Sequence, residues 1–275
     1  PLKDKPNQLV PKHIFNQWII NEFQKLYKEV HLNYQNYYFH EVANQLYHFT
    51  WHSFCDWYIE LSKNILDSDK YREETIFIFH LIFNSLLQLL HPVIPFITEK
   101  LWSYNNKNIL MTNQWNYQDI QIDNQSIEAA NNFIEFIEEY RSIEKLFDIK
   151  KEHDVSIYSS NENLQNLFLE NQEVFEFLTR KKLSSKSLSN GVSLPFKNFD
   201  YEIETDQINK DKILKKLIDN SETLKKEKTG IDKNLDNQNF VDRAPKDLIE
   251  QNKNRQNAIS LELSKIDSIL SNLNG

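Results

Sequence analysis

His48 and His52 stand four residues apart in a stretch of helical periodicity, the spacing at which two imidazoles can share a zinc ion. His40 lies eight residues before His48, on roughly the same side. A zinc site needs a third ligand and usually an acid at a set position, and no HExxH pattern is present. Tyr47, Phe49 and Trp51 crowd the same stretch, so packing accounts for these histidines better than a metal does. Cys55, next to Asp56, raises the question of a thiol nucleophile. It sits among Phe54, Trp57 and Tyr58, where loss of water raises a thiol pKa and leaves it inert, so it reads as a core residue. The string Lys182-Leu183-Ser184-Ser185-Lys186-Ser187 reads, on its own, as a solvated basic turn.

Composition narrows the field further. The 275 residues include only three glycines, Gly191, Gly230 and Gly275. Three cannot supply a Gly-rich phosphate loop, a Rossmann fingerprint or a Walker loop. Nor can they furnish the tight turns of an all-β sandwich. A mainly helical protein remains. A single cysteine excludes an internal disulfide and a multi-cysteine metal site, and fits a reducing, cytoplasmic setting. No run is expected to reach the roughly 18 uncharged apolar residues of a membrane span. No apolar signal core opens the chain.

The elements follow from periodicity. Apolar residues from Ile14 to about Lys28 predict a first helix, and Tyr37 to Leu66 a second, broken by Asp67-Ser68-Asp69. Lys70 to Leu90 is apolar nearly all round after Ile76, which predicts the central helix of a bundle. His91-Pro92 ends it, and Pro95 opens a short helix, Phe96 to Trp102. Residues 103–125 read as an irregular connection, and Glu128 to Asp148 as a fifth helix. Short strands at Val155–Tyr158, Val192–Pro195 and Tyr201–Ile203, with one or two helices over Asn163–Leu178, predict a small mixed module. Two heptad tracts follow. One steps through Leu214, Leu217, Ser221, Leu224, Lys228, Ile231 and Leu235, the other through Leu248, Asn252, Arg255, Ile259, Glu262, Ile266, Ile269 and Leu273. With Pro245 placed to start the second, they predict an antiparallel hairpin, the alternative being a buried layer of a larger bundle.

Charge divides along the same lines. The net charge is −8, yet residues 206–275 carry 13 Lys and Arg against 12 Asp and Glu, while the first 205 carry 19 against 28. The hairpin is thus the part best suited to meet phosphates, unless its lysines simply solvate a coiled-coil face.

Four longer strings then stand out. Trp51-His52-Ser53-Phe54-Cys55-Asp56-Trp57-Tyr58-Ile59-Glu60-Leu61-Ser62-Lys63 resembles the WxxFCDWYIExxK signature of the bacterial-type valyl-tRNA synthetase family of class I. Leu90-His91-Pro92-Val93-Ile94-Pro95-Phe96-Ile97-Thr98-Glu99-Lys100-Leu101-Trp102 resembles that family's LHPxxPFxTExLW segment. Gln17-Trp18-Ile19-Ile20 resembles its WIL-type domain start, and Asn239-Phe240-Val241-Asp242-Arg243-Ala244-Pro245 its NFVxxAP turn between coiled-coil helices. The four occur in family order and cover the chain from end to end.

The resemblance implies a helical anticodon-binding domain over 1–149, a small mixed α/β module over 150–204 and an antiparallel coiled-coil tRNA-binding arm over 205–275. It implies a monomeric, cytoplasmic, non-catalytic part of a valine–tRNA ligase, without the catalytic and editing domains. Valine tRNAs would be the partner, with no membrane. No cofactor belongs to this part; ATP with magnesium belongs to the parent enzyme. The Lys182–Ser187 string has one serine more than a KMSKS loop, and no HIGH-type partner accompanies it. Arg141 matches the first Arg of the family's IRxIRxE helix, whereas Glu144 replaces the second and Lys150 the following Pro. The residues expected to contact RNA phosphates are Arg141, Lys150, Lys151, Arg180 and Lys181 near the bundle. On the arm they are Lys215, Lys216, Lys225, Arg243, Lys246 and Arg255, the last sharing its role with seam packing. Two further readings stay open: a coiled-coil scaffold for a protein partner, and the same region of an isoleucyl- or leucyl-tRNA synthetase.

Overall fold

Helix α1 (Ile14–Gln35) is the most deeply buried element of the first half of the chain. Phe15, Trp18, Ile19, Ile20, Phe23, Leu26 and Val30 give it an apolar face, but Asn16, Gln17 and Gln24 are buried as well. The computed structural model describes residues 10–67, 69–115, 117, 119–147, 155–158, 162–184, 191–197, 199–204, 210–237, 240 and 244–274. These form two compact units, Pro1–Ile137 and Glu138–Gly275.

In the first unit α1 packs against α2 (Phe39–His48), a π-helix (Phe49–Ile59) and α4 (Arg72–Leu90). The expected helix Tyr37–Leu66 is present as α2, the π-helix and α3 (Glu60–Asp67) in succession. Two hydroxyls bracket the change of pitch. Thr50 Oγ1 donates to the Leu46 carbonyl at 2.6 Å, and Ser62 Oγ to that of Ile59 at 2.9 Å. Such back-bonds compete with the backbone ladder and loosen it locally. The wide π turn buries Phe49, Phe54 and Tyr58 and leaves Trp51 and His52 exposed.

The centre of the bundle is α1, not α4. Helix α4 buries Ile78, Ile82, Leu86, Leu87 and Leu89, but Ile76 is exposed and Phe77, Phe79 and Phe83 are half-buried. Hydrophobicity alone favoured α4. What decides the matter is that Asn16 and Gln17 of α1 find partners, so their burial costs little, while Gln24 Oε1 is buried without one. By length and composition α4 passes for a membrane span, though it holds no run of 18 uncharged apolar residues. Its seat against α1 is that of a core helix. Pro95 opens α5 (Pro95–Trp102), and Trp102 joins Leu87 and Leu110 in a small satellite cluster.

Helix α6 (Asn124–Phe147) carries Phe133, Phe136 and Ile137 into the first unit, and its later turns, with Tyr140, belong to the second. There, four strands lie in the order β2-β1-β4-β3: β1 (Val155–Tyr158), β2 (Leu183–Ser184), β3 (Gly191–Phe196) and β4 (Phe199–Glu204). β1 runs parallel to β2 and antiparallel to β4, and β3–β4 is a hairpin with Phe196 opposite Phe199. Helices α7 (Glu162–Glu170) and α8 (Gln172–Thr179) supply Phe168, Val174 and Phe175 to its core. β2 lies where a solvated basic turn was expected. Leu183 is buried and pairs with Val155, a two-residue element too short to show periodicity. Helices α9 (Lys210–Asp236) and α10 (Lys246–Asn274) form the expected hairpin, closed by Ile213, Leu217, Leu224 and Ile231 against Ile259, Ile266 and Ile269.

The start of α1 is held by one carboxylate. Glu74 accepts from the backbone N–H groups of Lys12 and His13 at 3.0 Å and from Asn16 Nδ2 at 2.8 Å. His13 caps the helix by accepting from Phe15 N. Burial lowers the His13 pKa to about 4, against a lesser opposing pull from Glu74. An unfolded histidine titrates near 6.5, so below that pH the unfolded chain takes up a proton that the folded chain refuses. Stability is therefore expected to fall between pH 6.5 and 4, by about 3 kcal/mol from this group. Urea melts across that range should show the loss, and His13→Asn, which keeps a capping side chain, should flatten it relative to the parent.

Candidate nucleic-acid interface

The sequence-derived basic residues fare differently in the structure. Arg180 ends α8 in the left-handed conformation, φ 58°, with its N–H donating to the Glu176 carbonyl at 2.7 Å, and is exposed. Arg141, on α6, is exposed and donates from Nη2 to the Leu178 carbonyl at 3.3 Å. These two remain able to face a phosphate.

Lys181 does not, and the expectation for it is corrected. The residue is only 2% exposed, and its ammonium lies 3.4 Å from Glu144 Oε1. The left-handed turn at Arg180 points the next side chain inward, and an ammonium taken out of water needs a carboxylate. Glu144 is the position at which this chain departs from the family's helix pattern, and it is the residue that pairs with Lys181. The neighbouring Lys182 is the exposed one. Lys150, Lys151 and Arg243 lie outside the described residues, and Lys246 opens α10 with its side chain outside them.

On the hairpin, Arg255 also turns out to be engaged. It makes a paired contact with Glu227 across the hairpin, Nε–Oε1 2.8 Å and Nη2–Oε2 2.9 Å, and a third contact with Glu262 at 3.3 Å. The Arg255 hydrogen bond holds Glu227 below the usual carboxylate range, and Glu227 in turn raises the guanidinium. Two carboxylates thus neutralise it in place, and its role is to join α9 to α10. Heptad stepping put Arg255 and Glu262 at the seam, but both are exposed and meet at its margin.

Lys215, Lys216 and Lys225 are exposed, but they do not share a face. A helix turns about 100° per residue, which sends these three to widely different directions. Lys215, Lys226 and Lys233 instead fall within about 20° of one line on the side away from the seam, spaced by about 16 and 10 Å along the axis. Asp219 and Glu222 lie near the same line. Reading helical phase outward from the buried Ile213, Leu217, Leu224 and Ile231 finds this row directly.

The other candidate groups are quiet. His48 and His52 have ring centroids 4.7 Å apart, and His52 Nδ1 faces Asp56 at 3.4 Å. Among the described residues no group of three or more His, Cys, Asp or Glu is placed to hold a metal. The Cys55 thiol is half-buried and pushed up by desolvation and by Asp56, so it stays protonated.

The first unit is a helical bundle, and the second ends in a hairpin with an outward row of lysines on α9. Comparison with known families makes this specific. The family model described as the anticodon-binding domain of tRNA ligase matches residues 16–158, and the chain belongs to that family. The model of the valyl tRNA synthetase tRNA binding arm matches residues 210–274. Among similar proteins, the valine–tRNA ligase of Pelagibacter ubique is 32% identical over 270 residues, covering 94% of this chain and 31% of the relative. That of Mycoplasma mycoides is 30% identical (87% and 28% covered), and that of Pseudothermotoga lettingae 28% identical (98% and 32%). The chain spans about a third of the length of these relatives.

The burial of Lys181 has a measurable consequence. Lys181→Gln should destabilise the second unit by about 1–3 kcal/mol, because Glu144 loses its cation. It should leave the salt dependence of RNA binding unchanged, whereas a phosphate-binding lysine would lower that slope by about one. Thermal melts and filter-binding titrations at several salt concentrations separate the two outcomes.

Proposed function

We propose that this chain is the tRNA-holding part of a valine–tRNA ligase. The observation that carries the reading is the order of two domains on one chain. A bundle of the anticodon-binding family lies over residues 16–158, and a hairpin of the valyl arm type lies over 210–274. In this reading residues 1–149 meet the anticodon stem and loop, 150–204 form the mixed module between, and 205–275 lie against the body of the tRNA. Binding at two sites on one RNA raises effective concentration without any added contact. The intact ligase would attach valine to its tRNA using ATP and magnesium, in the cytoplasm, and the tRNA-holding part works as a monomer. Arg141 and Arg180 are phosphate contacts near the bundle, and the row Lys215, Lys226, Lys233 supplies those of the arm.

The test is the salt dependence of tRNA binding by the chain. Each lysine that neutralises a phosphate adds close to one to the slope of log K against log salt. Replacing Lys215, Lys226 and Lys233 together by Gln should lower that slope by roughly three. These positions face solvent, so circular dichroism should report an unchanged helix content. An unchanged slope would remove the arm from the binding surface.

A further inference from the structure

Helix α1 ends on a residue that its backbone does not favour. The last turn closes with Tyr37 N–H donating to the Tyr34 carbonyl at 3.2 Å and Tyr38 N–H to that of Asn33 at 2.9 Å, the paired bonds of a Schellman ending. That ending places one residue in the left-handed region, a role normally filled by Gly. Here it is filled by Tyr37, at φ 60°, with its ring 78% exposed. Strain and exposure at one bulky residue mean that the fold gains little from the ring.

The ring is not isolated. Tyr37 lies 6.1 Å from Phe39, Phe39 6.3 Å from Tyr34, Tyr34 5.6 Å from Trp115, and Trp115 6.4 Å from His31. Tyr38 and Phe39 are more than half exposed, and the Tyr34 hydroxyl donates to the Leu89 carbonyl at 3.0 Å, which holds its ring in position. The result is a cluster of rings packed mostly edge to face at the α1–α2 corner, with Tyr37 and Phe39 the exposed ones.

Its border is polar, and the charged residues nearest in sequence, Glu29 and Glu41, are acidic. Asn33, Gln35, Asn36, Asn113 and Gln114 neighbour the rings in sequence, and neither 29–39 nor 113–117 contains a Lys or Arg. Ring faces edged by neutral amides match an unpaired base, which stacks on its face and hydrogen-bonds at its edge. They match a phosphate backbone poorly, because neither flanking segment supplies a Lys or Arg.

We propose that Tyr37, Phe39, Tyr34 and Trp115 form a stacking platform for unpaired bases of the RNA loop that the bundle holds. The proposal rests on the reading of the chain as tRNA-holding. It assigns the two RNA contacts different physics: the platform binds by stacking and the arm by charge.

The experiment uses the whole chain with three RNAs: a full-length tRNA, an anticodon stem-loop and a blunt duplex of the same stem. Tyr37→Gly should weaken stem-loop binding roughly five- to a hundred-fold. The salt slope should stay unchanged, and the thermal midpoint should hold or rise, since Gly relieves the left-handed strain. Tyr37→Phe should keep wild-type affinity, and Trp115→Leu should weaken the stem-loop but not the duplex. Unchanged stem-loop affinity in Tyr37→Gly overturns the platform. So does a loss of affinity matched by a lower midpoint, which is a structural effect. Self-association abolished by Tyr37→Gly would assign the rings to a second copy and also overturn it. A wild-type chain that binds none of the RNAs overturns the tRNA-holding reading and the platform with it. Binding of tRNA that is indifferent to Tyr37 overturns the platform alone.

Discussion

The first unit depends on the burial of Asn16. A side-chain amide with no exposure would cost several kcal/mol if left unpaired. Here Nδ2 donates to Glu74 and to Thr75 Oγ1, and Oδ1 accepts from the Tyr58 hydroxyl at 2.9 Å. Glu74 and Thr75 are on α4 and Tyr58 on the π-helix, so one amide joins three elements. Burial keeps the Tyr58 hydroxyl protonated and therefore a donor. Similar bonds fix the rest of α1. Gln17 accepts from Asp123 N at 2.7 Å, and Trp18 Nε1 donates to Asn131 at 3.0 Å, which sets α6. The apolar stripe supplies most of the driving force, while these bonds choose among the ways that greasy helices can pack.

In the second unit, much of the charge is used internally. Lys181 is consumed by Glu144, Arg255 by Glu227 and Glu262, and Lys265 Nζ reaches Glu139 at 2.7 Å, linking α10 to α6. Basic residues that hold the unit together are poor candidates for meeting an RNA, because leaving a carboxylate unpaired would offset any new phosphate contact. This sorts lysines by partner rather than by local density. The outward row on α9, with Arg141 and Arg180, is exposed instead and carries the proposed phosphate contacts. The formal charge of −8 thus says little about either surface, since both sign and partner vary from helix to helix.

Much of the architecture was legible in the residues. Heptad steps from Leu217 to Ile231 and from Ile259 to Ile269 announced the hairpin, and alternation at Val155–Tyr158 and Tyr201–Ile203 announced the sheet. These signals are local, and a helix or strand repeats its burial pattern at fixed period. The π-helix was not legible, because its residues, and the Thr50 and Ser62 back-bonds at its ends, look like those of an ordinary helix. β2 was missed for a similar reason, since its pairing with β1 is set by a partner far along the chain.

The candidate site divides in the same way. By itself the sequence determined the helical class, the absence of Gly-dependent nucleotide loops, the basic bias of residues 206–275 and the family strings, all of which depend on composition or on order along the chain. Only the tertiary structure decided which basic residue faces water. Lys181 and Lys182 are adjacent and chemically alike, yet the left-handed turn at Arg180 buries one and exposes the other. It also gathered Tyr34, Tyr37, Phe39 and Trp115 into one cluster of rings from positions up to 81 residues apart. Side-chain direction and long-range proximity are settled by the backbone path through the whole fold, and no local pattern of residues encodes that path.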